Sequence, residues 1–236
     1  MSLPVAVLAG GLATRLRPLS KTIPKSLIEV AGQPFAVHQI ELLKAHGLSR
    51  IVFCVGYMGE RIQFDLGTGR RWGVKLDYVF DGPKLLGTGG ALCRALPLLG
   101  SAFFVLYGDS YLECDYAKIE RAFEDSGKQG LMTVLRNENR WDRSNVKFSN
   151  GCILGYEKRK PADDMQHIDF GLGILRATVF EAYPEDLPLD LATIYQDLLK
   201  RGELVGFEVL DRFYEIGSLA GLEETRNYLS RKLNRE

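Results

Sequence analysis

No apolar run in this sequence approaches the ~20 residues that a bilayer-crossing helix needs, so no membrane partner is expected. The stretch from Leu3 to Ala9 is too short for the apolar part of a secretory leader, and no basic residue precedes it. A cytoplasmic location is expected from this. Cysteine is scarce. Cys54, Cys93, Cys114 and Cys152 are far apart and three lie in apolar runs, which predicts buried reduced thiols and no disulfide. His38, His46 and His167 form no ligand-spaced set with them, so a structural zinc site is not expected. Net charge is also missing. Lys+Arg and Asp+Glu both number 30, which leaves no bulk attraction for nucleic acid. Acidic residues are absent from "LAGGLATRLRPLSKTIPKSL", Leu8 to Leu27, which carries Arg15, Arg17, Lys21 and Lys25. A cluster that local points to a small anionic ligand.

Short apolar runs supply the rest of the pattern. "PVAVLA" (4–9) is apolar throughout and stops at Gly-Gly, the signature of a strand buried on both faces. "RIVFCVG" (50–56), the alternating "VKLDYVF" (74–80), "AFFVLYGD" (102–109) and "GLMTVLR" (130–136) read as further strands. Helices are predicted from Pro34 to a glycine cap at Gly47, over 59–66, over 91–99 after "GTGG", and over 116–124. This alternation predicts a doubly wound, mainly parallel sheet. Beyond residue 136 the character changes. A hairpin over 145–159 turns at Asn150–Gly151, a strand covers 167–176, and helices are expected at 177–182, 193–201 and 218–233. With no repeat, low-complexity tract or linker, the chain reads as one domain over 1–236, with a mixed-sheet insertion in its second half.

Ligands of open α/β sheets bind beyond the carboxyl ends of the strands. Three places qualify: the loop from Gly10, the segment Asp81–Gly90, and Gly108–Ser110. In the first, Gly10 and Gly11 allow the backbone to approach a phosphate, and Arg15 and Lys25 add positive charge. The segment matches neither the dinucleotide-binding glycine fingerprint nor the P-loop. A plain tight turn with a solvated basic loop is the weaker explanation of so many cations without an acid. Asp109 ends a five-residue apolar run plus glycine and faces the same crevice, where a carboxylate with phosphate oxygens suits Mg²⁺. By itself it would pass for a turn cap. In "LLGTGGALCRAL", Gly87, Gly89 and Gly90 precede a predicted helix. They suit either approach to a base or a glycine-rich connection.

In that order the pieces resemble the sugar-1-phosphate nucleotidylyltransferases. The signature is a first strand, a Gly-Gly loop ending T-R-L-R-P, and a P-K pair. Here these are joined by "LGTGGA" (86–91), "YGDS" (107–110), "YEKRKP" (156–161), "IDFGLGIL" (168–175) and "FYEIGSLAGL" (213–222). The resemblance extends from Pro4 to about Leu229, nearly the whole chain. It implies a Rossmann-like three-layer αβα fold, with 1–136 as the nucleotide half and 137–236 as the sugar-phosphate half with a C-terminal helix. It also implies Mg²⁺-dependent transfer of a nucleotidyl group from a nucleoside triphosphate to a sugar 1-phosphate, releasing pyrophosphate. GTP with heptose or mannose 1-phosphate is the favoured pair, for cell-surface polysaccharide precursors. A homo-oligomer is left open.

The same resemblance assigns roles. Leu8, Gly10, Gly11 and Gly87 would hold the nucleotide, Arg15 the triphosphate and Lys25 a phosphate near the reacting centre. Asp109 and Glu215 would hold Mg²⁺. Glu157 and Asp169 with Gly171 would line the sugar pocket, and Lys158 would meet the sugar phosphate. Three positions depart from the family pattern: Ala13 replaces a third loop glycine, Glu215 replaces an aspartate, and Gly82 stands near where relatives carry Gln or Glu. The last leaves the choice among GTP, UTP, CTP and TTP open. No repeat-rich C-terminal extension follows, so no fused acyltransferase half is expected. Two rival readings fit the sequence less well. A non-catalytic nucleotide-sugar-sensing module would usually lose the loop cations, and a glycosyltransferase would usually carry Asp-x-Asp after a mid-chain strand. Here that strand ends in Gly-Asp-Ser-Tyr.

Overall fold

The computed structural model describes residues 2–11, 16, 22–184 and 187–234. Its order is β1 (Val5–Ala9), β2 (Glu29–Val30), β3 (Gln33–Pro34), α1 (Phe35–Ala45), β4 (Arg50–Val55), α2 (Gly59–Leu66), β5 (Lys75–Phe80), α3 (Gly87–Leu99), β6 (Ala102–Tyr107), β7 (Ser110–Tyr111) and α4 (Tyr116–Ser126). Then come β8 (Gly130–Arg136), β9 (Val146–Ser149), β10 (Cys152–Tyr156), β11 (His167–Arg176), α5 (Leu191–Lys200), β12 (Leu204–Val209), β13 (Tyr214–Glu215) and α6 (Leu219–Leu233).

The main sheet runs β5-β4-β1-β6-β11-β8-β12, and the β9–β10 hairpin joins it at His167 of β11. Every strand on that path is parallel to its neighbours except β11, which is antiparallel to both β6 and β8. The mainly parallel Rossmann-like sheet expected from the sequence is therefore present. β1 explains why its sequence is apolar throughout. Val5 and Val7 enter one core with α1, α2 and α4, while Ala6 enters the other with α3 and α5. Alternate side chains of one strand thus feed both outer layers. A third, smaller core lies under α6 and gathers Phe35, Tyr111, Ile216, Leu222 and the fully buried Leu16. Among the described residues, no helix is long and apolar enough to cross a membrane.

Local chemistry sets several boundaries. Asp115, Asp190 and Ser218 cap α4, α5 and α6, each accepting a backbone N–H with its side chain. The β9–β10 turn has Asn150 and Gly151 at φ 50° and 79°, as the Asn-Gly pair predicts. Residues 177–182, read as helical, form a 3-10 helix over that same span. Two segments depart from the sequence reading. The "LVGFEV" segment, not read as a strand, is β12 and pairs in parallel with β8. The "GTGG" segment does not precede α3 but forms its first turn. The reason is packing. Leu189 O accepts the Gly89 N–H at 2.8 Å, and a Cβ on Gly87 (φ 72°) would sit 2.6 Å from that same oxygen.

Candidate functional site

The carboxyl ends of β1, β4, β5 and β6 surround a cavity of about 250 Å³. All three strand-end loops singled out in the sequence line it: Leu8–Gly11, Asp81 with Leu85, Gly87 and Thr88, and Tyr107–Asp109. Leu8, Gly10, Gly11, Lys25, Gly87 and Asp109 are therefore brought together. Arg15 and the divergent Ala13 lie outside the described residues, as do Arg17 and Lys21.

Lys25 reaches the cavity from a 3-10 turn, Lys25–Leu27, started by Pro24. Its Nζ donates to Asp109 Oδ2 at 2.8 Å, and both side chains are only partly exposed. Asp109 also accepts from Ser110 Oγ at 3.4 Å, and its backbone oxygen accepts the Ile216 N–H at 2.9 Å. One cation and one anion thus stand together at the mouth of the loop. Beside them, the buried Ser26 Oγ has no hydrogen-bond partner among the described residues.

Asp81 opens the Asp81–Gly90 segment, but the sequence assigns it no role of its own. It is 5% exposed and lies at the end of β5, where a carboxylate after "YVF" followed by glycine reads as an ordinary turn. Its Oδ2 accepts the Leu86 N–H at 3.5 Å, while Arg94 donates to its backbone oxygen at 2.6 Å. Burial raises its pKa, and the Leu86 N–H and the Arg94 charge oppose that rise. Beneath it, burial and the Asp81 charge push the Cys54 thiol up to about 12, an inert member of the wall.

The second half meets the cavity at Tyr107. Lys158, just beyond β10, places Nζ 3.4 Å from the Tyr107 hydroxyl and 5.1 Å from its ring centre. Gly171, at φ 94° in β11, lies close enough that a Cβ would touch the same ring at 3.4 Å. The pairing of β11 with β8 shifts register between Asp169 and Gly173, which bends β11 at this point. Asp169 Oδ1 accepts the Gly171 N–H at 3.0 Å, and Oδ2 accepts the Tyr156 hydroxyl at 3.1 Å. Desolvation raises the Asp169 pKa, and Lys158, Gly171 and Tyr156 pull it back. Burial, then the charges of Asp169, Asp190 and Asp109, lifts the Tyr107 phenol well above its ordinary value, so it stays protonated while its oxygen accepts from Lys158. Glu157 is exposed. Backbone N–H groups of Arg159 (2.8 Å) and Lys160 (3.4 Å) lower its pKa.

Glu215 is placed differently. It lies on β13, paired with Ser110 beside Asp109, yet it is not in the cavity wall. Its carboxylate accepts the Gly217 N–H and, at 2.7 Å, the Ser218 hydroxyl.

This geometry has known relatives. The Drosophila melanogaster mannose-1-phosphate guanylyltransferase catalytic subunit beta is 27% identical over 219 residues, covering 89% of this chain and 58% of that protein. The chain thus spans little more than half the length of that relative. The N-acetylmuramate alpha-1-phosphate uridylyltransferase of Neisseria meningitidis is 27% identical over 222 residues, covering 93% and 95%. A crystal structure from Bacillus anthracis shares the fold, with a TM-score of 0.83, 23% identity and coverage of 98% and 96%. HddC from Yersinia pseudotuberculosis superposes with a TM-score of 0.80 at 26% identity, covering 97% and 100%, and has also been solved complexed with GMP-PN. The family model described as nucleotidyl transferase matches residues 5–146, more than half of the sequence and the part that builds the cavity. By that match, the chain belongs to the nucleotidyl transferase family.

Proposed function

We propose that the protein is an enzyme that transfers a nucleotidyl group from a nucleoside triphosphate to a sugar 1-phosphate, releasing pyrophosphate. The observation that carries this reading is the Lys25–Asp109 pair in the wall of a strand-end cavity that Lys158 reaches through Tyr107. The nucleophile in such a reaction is already a phosphate oxygen, so no strong base is required. The barrier lies in bringing two polyanions together and aligning them. Lys25 would offset charge on the triphosphate side, and Arg15 adds a second cation by sequence. Lys158 would hold the sugar phosphate, with Tyr107 fixing its approach. Leu8, Gly10, Gly11 and Gly87 would pack the nucleoside. Glu157, Asp169 and Gly171 would face the sugar, with Asp169 oriented by Tyr156.

Asp109 fits a divalent cation, because Mg²⁺ takes one or two carboxylates together with phosphate oxygens. Among the described residues no group of three or more His, Cys, Asp or Glu gathers, so a bound triphosphate would supply the remaining oxygens. When bound, Mg²⁺ would neutralise charge developing around the α-phosphorus. Asp81 supports GTP as the nucleotide. A carboxylate in the cavity wall accepts two adjacent donors of a guanine edge, whereas uracil offers one N–H between two acceptors. The guanylyltransferase relative and the GMP-PN complex support the same base, and the former supports mannose 1-phosphate as acceptor. The test is pyrophosphate release across GTP, UTP, CTP and TTP with a panel of sugar 1-phosphates and Mg²⁺. Ligand binding by calorimetry without release would favour the sensing module.

A further inference from the structure

We infer that Glu215 is a positioning residue and not a metal ligand: its carboxylate closes the first turn of α6 and holds β13 against the loop that carries Asp109. The functional half of this inference rests on the nucleotidyl-transfer reading, and the structural half does not. Both carboxylate oxygens already have donors. Oε2 takes the Gly217 N–H, and Oε1 takes the Ser218 hydroxyl at 2.7 Å. That hydroxyl in turn accepts the Gly221 N–H at 3.0 Å. A relay therefore runs from the helix to the cap serine to Glu215. It satisfies the Gly221 N–H that the helix start leaves without a partner, and it places negative charge at the positive end of α6. The space is cleared for this arrangement, because a Cβ on Gly221 would land on the carboxylate itself.

The backbone of the same residue ties the cap to the site. Glu215 pairs with Ser110 across β13 and β7, and its carbonyl accepts the hydroxyl of the fully buried Thr225 at 2.8 Å. The next residue, Ile216, donates its N–H to Asp109 O at 2.9 Å. The far end of α6 is held independently, where Tyr228 and Lys232 both bond Glu113 and Tyr228 stacks on Tyr214 at 3.9 Å. Turning the carboxylate toward a cation would give up the Gly217 and Ser218 donors that fix the start of α6 beside the strand that braces Asp109.

The test compares Glu215→Ala, Glu215→Gln and Asp109→Asn with the unaltered protein. Melting is followed in EDTA, and kcat and the half-saturating Mg²⁺ concentration in pyrophosphate release. Glu215→Ala should melt roughly 2–4 °C lower in EDTA, and Gln, which keeps an acceptor oxygen, should recover at least half of that loss. Glu215→Ala should also lower kcat, and Gln should restore it. Half-saturating Mg²⁺ should stay within about twofold in both Glu215 variants and rise at least about tenfold in Asp109→Asn. The inference is overturned by unchanged melting or unchanged kcat in Glu215→Ala. A tenfold Mg²⁺ shift in both Glu215 variants overturns it as well. If the unaltered protein releases no pyrophosphate, the functional reading falls, while the EDTA melting still decides the capping role.

Discussion

Replacing Gly87 by alanine tests why "GTGG" is glycine-rich. Gly87 sits at φ 72°, and its added Cβ would stand 2.6 Å from Leu189 O and 3.3 Å from Leu189 C. The left-handed backbone costs a residue with a Cβ about 1–2 kcal/mol. Forcing a methyl against backbone that cannot rotate away costs about 1–3 kcal/mol more. Leu189 cannot shift freely, because its oxygen accepts the Gly89 N–H at 2.8 Å and its N–H donates to Leu86 O at 2.9 Å. The expected loss is about 2–5 kcal/mol, which in a chain of this size lowers the melting temperature by roughly 4–20 °C. Gly11→Ala is the counterpart. Among the described residues nothing lies within 4 Å of its added Cβ, yet Gly11 lines the cavity. Its melting should be unchanged, while KM for the triphosphate rises. The assay is calorimetric or dichroic melting of both variants beside steady-state kinetics. Melting of Gly87→Ala within 1 °C of the unaltered protein, or equal destabilisation by Gly11→Ala, would refute the packing argument.

Two further outcomes follow from the site. Lys25→Met should lower turnover by at least about 100-fold, because it removes charge stabilisation at the reacting phosphates. The partly exposed Lys25–Asp109 pair is worth no more than about 1 kcal/mol, so melting should barely move, and a large melting change with full turnover would reverse the assignment. Asp169 has its carboxyl pKa raised by burial, so the native state holds its proton to higher pH than the unfolded chain. Its contribution to stability is present below the ordinary carboxylate range and is lost as pH rises through the elevated native value. Asp169→Asn should remove that downward slope from a plot of melting temperature against pH, and an unchanged slope would contradict the burial argument.

Much of the sheet was legible because strands buried on both faces must be apolar throughout. β1, β4 and β6 announce themselves in this way, and their ends locate the cavity through the strand-end rule. The Asn-Gly turn was legible from its backbone chemistry alone. β12 was not, because Gly206 and Glu208 interrupt its apolar run and its pairing with β8 is a tertiary fact. Nor was the start of α3. Three glycines in one turn argue against a helix by propensity, and the contact with Leu189 outweighs that preference. In the site, Lys25 and Asp109 were legible as chemistry placed at strand ends. Asp81 and Tyr107 were not, because a carboxylate before glycine resembles a turn and a tyrosine closing an apolar strand resembles core. The position of Glu215 could be read from the sequence, but its partners could not, since they depend on where α6 begins.

The most direct measurement of the central claim is pyrophosphate release by the unaltered protein, screened over four nucleoside triphosphates and a panel of sugar 1-phosphates with Mg²⁺. Release should require both substrates, be strongest with GTP, and collapse in Lys25→Met and Asp109→Asn. Absence of release across the whole panel, or equal release by those two variants, would contradict that claim.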